Sequence, residues 1–150
     1  MTAEAPWPVL ANGSRGADVT TLQYLLRGSG AMTLAADGVF GPATEDTVSV
    51  FQNNVGVPED GIVGPLTWGK LTDGTTVGST VRSGDNGEFV KAAQTELLKH
   101  GDLHAVSQVD GIFGPDTDTA TRNFQKSADL TSDRIVGPLT WKPLISLAGD

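Results

Sequence analysis

Apolar residues recur at helical spacing along most of the chain, interrupted by glycine and proline. Val19, Leu22, Leu25 and Leu26 share one helical face, and Gly28 offers a stop. From Pro42 to about Val55 the spacing predicts a second helix carrying Val48, Phe51 and Val55 on one face, with Gly56 where a left-handed residue would end it. A short third helix begins at Pro65 and includes Leu66, Trp68 and Leu71. The same order then returns. Val81, Gly84, Gly87, Val90, Ala93, Gln94 and Leu97 repeat Leu10, Gly13, Gly16, Val19, Leu22, Gln23 and Leu26. A counterpart of the second helix runs from Pro115 to about Ser127 with Ala120, Phe124 and Ala128, and the last begins at Pro138 with Leu139, Trp141 and Leu144. The pattern predicts an all-α chain of two three-helix modules.

The connecting loops repeat more closely than the helices. DGVFGPAT at 37–44 returns as DGIFGPDT at 110–117, and DGIVGPLTW at 60–68 returns as DRIVGPLTW at 133–141. Residues 37–71 align with 110–144 without a gap and share 17 of 35 positions, which identifies a duplicated unit. Within such a loop, Asp37-Gly38 is a turn dipeptide whose glycine can take positive φ, and Pro42 suits the first helical position. Phe40 is the loop's large apolar side chain and is expected to fold inward.

The duplication divides 150 residues into a first module at 1–72 with its lead-in, a linker at 73–80 and a second module at 81–150. The Gly/Thr-rich linker composition permits hinge motion but not wide separation. A unit of this size buries only about 60% of its unfolded surface. Without cysteine there is neither disulfide nor thiolate metal site to staple it, which leaves contact between the halves as a further source of stability. The net charge of −8, with ten scattered Lys and Arg residues, argues against nucleic acid or an anionic membrane surface as partner. Apolar runs are too short to span a bilayer. The start, MTAEAPWPVL, lacks the basic and apolar regions of a secretory signal. Work outside a cell would therefore need a leader since removed, a larger parent protein, or a signal-independent route such as phage lysis or assembly.

The spaced string of Leu10, Gly13, Gly16, Val19, Leu22, Gln23 and Leu26, then Asp37, Gly38, Phe40, Gly41, Thr44, Phe51 and Gln52, then Asp60, Gly61, Val63, Gly64, Thr67 and Leu71, resembles the type 1 peptidoglycan-binding domain. That family is a three-helix module found on bacterial and phage cell-wall hydrolases, and two copies cover nearly the whole chain. The resemblance implies an extracellular or wall-associated protein that binds peptidoglycan or muropeptide, with no cofactor. The second copy departs at Arg134 for Gly61, Asp129 for Gly56 and Ala93 for Leu22. Arginine at a glycine position implies an altered or strained backbone, so the first copy is expected to be the better ligand site, the second being degraded in binding or shaped for a different partner.

Catalytic motifs are absent: no GxSxG, HExxH, cysteine nucleophile or phosphate loop occurs. His100 and His104 lie four apart beside Asp102, but two histidines without a third firm ligand are a weak metal signal, and they are read as solvent-exposed loop residues. For recognition, sugar rings stack on aromatic faces while polar groups fix orientation. The candidate ligand residues are Asp37, Thr44, Gln52 and Trp68, with Asp110, Thr117, Gln125 and Trp141 in the second copy. Tyr24 and Arg15 could line the same cleft. A structural reading stands beside this one: the tryptophans as core, the threonines bonding backbone, Gln52 satisfying buried carbonyls. Two functions follow, a non-catalytic wall anchor, or a structural subunit of a phage particle, surface layer or filament that self-associates or binds a partner protein. A third possibility is the targeting part of a hydrolase whose catalytic domain is absent.

Overall fold

Each of the four Gly-Pro steps in the sequence starts a helix. The computed structural model describes residues 5–148. Its helices are α1 (Ala17–Gly28), α2 (Pro42–Val55), α3 (Pro65–Thr72), α4 (Glu88–Lys99), α5 (Pro115–Ser127) and α6 (Pro138–Ser146). Prolines 42, 65, 115 and 138 sit in first helical turns, where an N–H has no intrahelical acceptor to lose. Gly56 caps α2 in the left-handed region, at φ 80. The two extra residues of the second copy are taken up around a single 3₁₀ turn at Val106–Gln108.

Isolated antiparallel bridges close each half. Leu10 pairs with Val63 and Arg15 with Val39; Val81 pairs with Val136 and Asn86 with Ile112. Phe40 and its counterpart Phe113 fold inward as expected, each about 1% exposed. No helix among the described residues is long and apolar enough to cross a membrane.

The halves are not separate beads. Helices α1 and α4 pack antiparallel: Asp18 at the start of α1 meets Lys99 at the end of α4, at 2.9 Å, while Arg27 at the end of α1 pairs with Glu88 at the start of α4. Between these ion pairs, buried Thr21 donates its hydroxyl to Glu96 at 2.7 Å. Alanines 92 and 93 are buried on α4, Ala93 standing where the first copy has the equally buried Leu22. Gly28 belongs to the same interface. Its φ is not positive, so it is not a left-handed stop; a Cβ there would lie 2.5 Å from the Phe89 ring, and glycine is what lets that ring close in.

Buried apolar residues from both halves form one continuous core. The lead-in segment adds a strap. Trp7 stacks on Trp68 with ring centroids 5.7 Å apart, and Lys142 of the second half lies 5.1 Å above the Trp7 ring while donating to the Ala5 carbonyl at 2.7 Å. The linker contributes as well, because the Ser79 carbonyl accepts the Trp141 indole N–H at 3.0 Å. The hinge expected from linker composition is therefore corrected: a shared core and a shared helix pair hold the two halves together.

Candidate functional site

One side-chain unit is built four times. In the first loop, the Gln23 side-chain amide donates to Asp37 Oδ1, the Val39 carbonyl and Thr44 Oγ1, each at 3.1 Å, while its oxygen accepts the Gly38 N–H at 2.9 Å. Gln52 does the same for the second loop, with Asp60 at 3.0 Å, the Ile62 carbonyl at 2.8 Å, Thr67 at 3.0 Å and the Gly61 N–H at 3.0 Å. Gln94 holds Asp110, Ile112, Gly111 and Thr117, and Gln125 holds Asp133, Ile135, Arg134 and Thr140. All four glutamines are buried. Each pins a loop that must leave one helix and start the next, and satisfies polar groups that burial would otherwise strand.

The expected ligand residues sort accordingly. Asp37 and Thr44 belong with Gln23, and Asp110 and Thr117 with Gln94. Gln52 and Gln125 reach forward to the following loops rather than back to the ones they were grouped with. Trp68 and Trp141 require a correction: both rings are fully buried, and their indole N–H groups donate to the Pro8 carbonyl at 2.8 Å and to Ser79. A ring enclosed on both faces offers nothing for a sugar to stack on. Asp37 and Asp110 are different, because their carboxylates are exposed. The Val39 N–H and then the Gln23 amide hold Asp37 below the usual carboxylate range, and the Ile112 N–H and Gln94 do so for Asp110. Each stays ionised with one oxygen toward solvent.

The remaining candidates lie elsewhere. Tyr24 faces α4, where Lys91 Nζ is 5.9 Å from its ring centroid, and Arg15 bridges Val39 beside Asp37. The expectation that both histidines are solvent-exposed is corrected for His100, which is buried with Nε2 2.8 Å from the Leu144 carbonyl and its ring against Phe124. His104 is exposed, and among the described residues no three metal-ligating side chains come together.

Open hollows line the loop surface. One, of about 540 Å³, lies between Arg82 and Ser83, the start of α5 at Pro115 and Asp118, and the loop at Asp133–Ile135. Others of about 140, 490 and 390 Å³ sit beside the second, third and fourth loops, next to Ile62 and Leu66, Ile112, and Leu139 respectively. These apolar side chains are exposed, Leu139 at 84%. Sequence reasoning missed Gln23, Gln94 and the rim residues Arg82 and Asp118. The two glutamines carried a signal: an apolar residue followed by Gln precedes every one of the four loops, as Leu22-Gln23, Phe51-Gln52, Ala93-Gln94 and Phe124-Gln125.

The profile of the peptidoglycan-binding domain family matches residues 15–71 and again 86–144. Among curated relatives, a zinc D-Ala-D-Ala carboxypeptidase of Streptomyces albus G is 46% identical over 55% of this chain and 32% of its own length. A probable N-acetylmuramoyl-L-alanine amidase of Bacillus licheniformis is 30% identical over 98% of this chain and 47% of its own. A solved structure of a peptidoglycan-binding protein from Clostridioides difficile is 38% identical over 47% of this chain and 42% of that one, with a TM-score of 0.43. The chain thus spans a third to a half of the length of the curated relatives it matches.

Proposed function

We infer that this chain, which belongs to the peptidoglycan-binding domain family in two copies, is a non-catalytic wall-binding unit that holds itself, or whatever it is joined to, on peptidoglycan. The observation that carries this is the double family match, which spans most of the chain. Its place of work is the cell wall. Two of the relatives named above are a carboxypeptidase and a probable amidase, and a retention role beside such an activity is consistent with the chain matching only part of their length. The hollows beside the Asp-Gly loops are the surface we assign to muropeptide, since the tryptophans are enclosed. Two copies fixed in one body present their sites at a set spacing to a polymer that repeats its epitope, so weak single contacts add up to firm retention.

The test is a titration of the full chain with solubilised muropeptides, read by backbone amide shifts. Shifts clustered at the hollows beside the loops support the reading; a spectrum unchanged at millimolar muropeptide removes it. The alternative, an assembly subunit, is favoured by exposed Leu66 and Leu139 on equivalent helix starts. Light scattering across concentration separates the two, because a monomer that stays monomeric when concentrated is not a self-assembling subunit.

A further inference from the structure

At the 540 Å³ hollow the two copies differ in charge. Its rim holds Arg82, Arg134, Asp118 and Asp133. The equivalent residues of the first copy are Ala11, Gly61, Glu45 and Asp60, two carboxylates without a cation. There, the Asn12 amide reaches Glu45 at 3.5 Å across the same place, and the Glu45 side chain lies against Gly61. In the second copy the shorter Asp118 leaves the groove open, and two guanidinium groups line it.

Arg134 sits at a backbone position built for glycine. Its φ is 61, where Gly38, Gly61 and Gly111 have 76, 71 and 78. A side chain there costs about 1 kcal/mol, and such strain clusters at sites where the residue has work to do. Its guanidinium stands 3.5 Å from Asp118, both partly exposed, which is a loose pairing that a ligand can replace. The Arg82 guanidinium makes no hydrogen bond or ion pair among the described residues, while its backbone N–H donates to Asp85 and its carbonyl accepts the Asp85 N–H. Asp133 uses Oδ1 for Gln125 and the Ile135 N–H and itself lines the hollow.

We propose that this hollow binds a zwitterionic peptide bearing both a free carboxylate and a free ammonium, the carboxylate on Arg82 and Arg134 and the ammonium between Asp118 and Asp133. Alternating charges select such a ligand over a purely anionic or neutral one, in a chain whose net charge of −8 already repels polyanions. The inference rests on the peptidoglycan reading, and assigns to the second copy the peptide part of the polymer rather than its sugar part.

Calorimetric titration of the full chain with three probes tests it: a free stem tripeptide ending in a diamino acid, the same peptide with that side-chain amine acetylated, and the disaccharide without peptide. The tripeptide is expected to bind, with acetylation, Arg82→Ala and Arg134→Gly each weakening it on the order of tenfold. Arg134→Gly relieves backbone strain, so its loss of binding cannot be put down to unfolding. Equal affinity of the acetylated and free peptides, or wild-type affinity in both variants, overturns the assignment. Failure of the tripeptide to bind a chain that still pellets with whole sacculi overturns this inference alone; failure to pellet overturns the wall-binding reading with it.

Discussion

Replacing Glu96 by Gln should remove a pH dependence that the α1–α4 interface builds into the fold. Glu96 is fully buried, accepts the Thr21 hydroxyl at 2.7 Å and meets Lys99 Nζ at 2.8 Å, while Asp18 shares the same ammonium. Burial, with the Asp18 charge adding to it, outweighs the pull of Lys99 and pushes the Glu96 carboxyl from 4.5 up to about 8. The folded chain therefore keeps a proton that the unfolded chain releases. Below the unfolded value both states hold the proton and stability is complete; it falls as pH rises and the loss is finished just above the folded value. At roughly 1.4 kcal/mol per pH unit, tapering at each end, the loss between about pH 5.5 and about pH 8.5 is about 3 kcal/mol.

Lys99 does not mask this. Burial alone would lower it, but the charges of Glu96 and Asp18 hold it above its usual 10.5, so its own contribution persists until well past this window. Urea unfolding of wild type and Glu96→Gln at the two pH values should show the wild type losing about 3 kcal/mol more than the variant. Equal losses in the two proteins would refute the reasoning.

Other expectations concern the clamps and the core. Gln52→Glu keeps the shape but puts a carboxylate oxygen where the amide nitrogen contacts Asp60, the Ile62 carbonyl and Thr67; a loss of about 2–4 kcal/mol is expected in denaturant unfolding, and a loss within error would mean the clamp does not hold the loop. Asp129 stands at φ 59, so Asp129→Gly should raise stability by about 0.5–1 kcal/mol, read as a higher unfolding midpoint; a lower midpoint contradicts the strain argument. A Trp7→Phe chain retains only the two enclosed tryptophans, whose emission should resist iodide quenching equally with and without muropeptide. Protection that appears only with ligand would return the indoles to the binding surface.

Much of the fold was legible because its punctuation is covalent. Proline at four helix starts and glycine at positive φ in three of four loops are constraints that a residue carries with it, and Pro42, Pro65 and Gly56 act as read. The relation between the halves was not legible. The face of α4 that packs on α1 carries Glu88, Glu96 and Lys99 beside Phe89, and the facing side of α1 carries Asp18, Thr21 and Arg27, so polar residues break up the apolar stripe that announces burial. Its stability rests on close approach and paired charges, which spacing alone does not reveal. Asp37 and Asp110 remain at the surface, but Thr44, Thr117, Gln52 and Gln125 were read as contacts when their polar groups are spent on the chain itself. Trp68 and Trp141 misled because the same amphipathic ring serves a wet cleft or a core with one carbonyl to satisfy, and here it is the core.

Incubation of the chain with purified sacculi, followed by centrifugation and by chromatography of the supernatant for released muropeptides, addresses wall binding most directly. The chain is expected in the pellet in a saturable manner, with no soluble muropeptide above a blank. A chain that stays in the supernatant, or one that pellets while liberating fragments, would contradict a non-catalytic wall-binding unit.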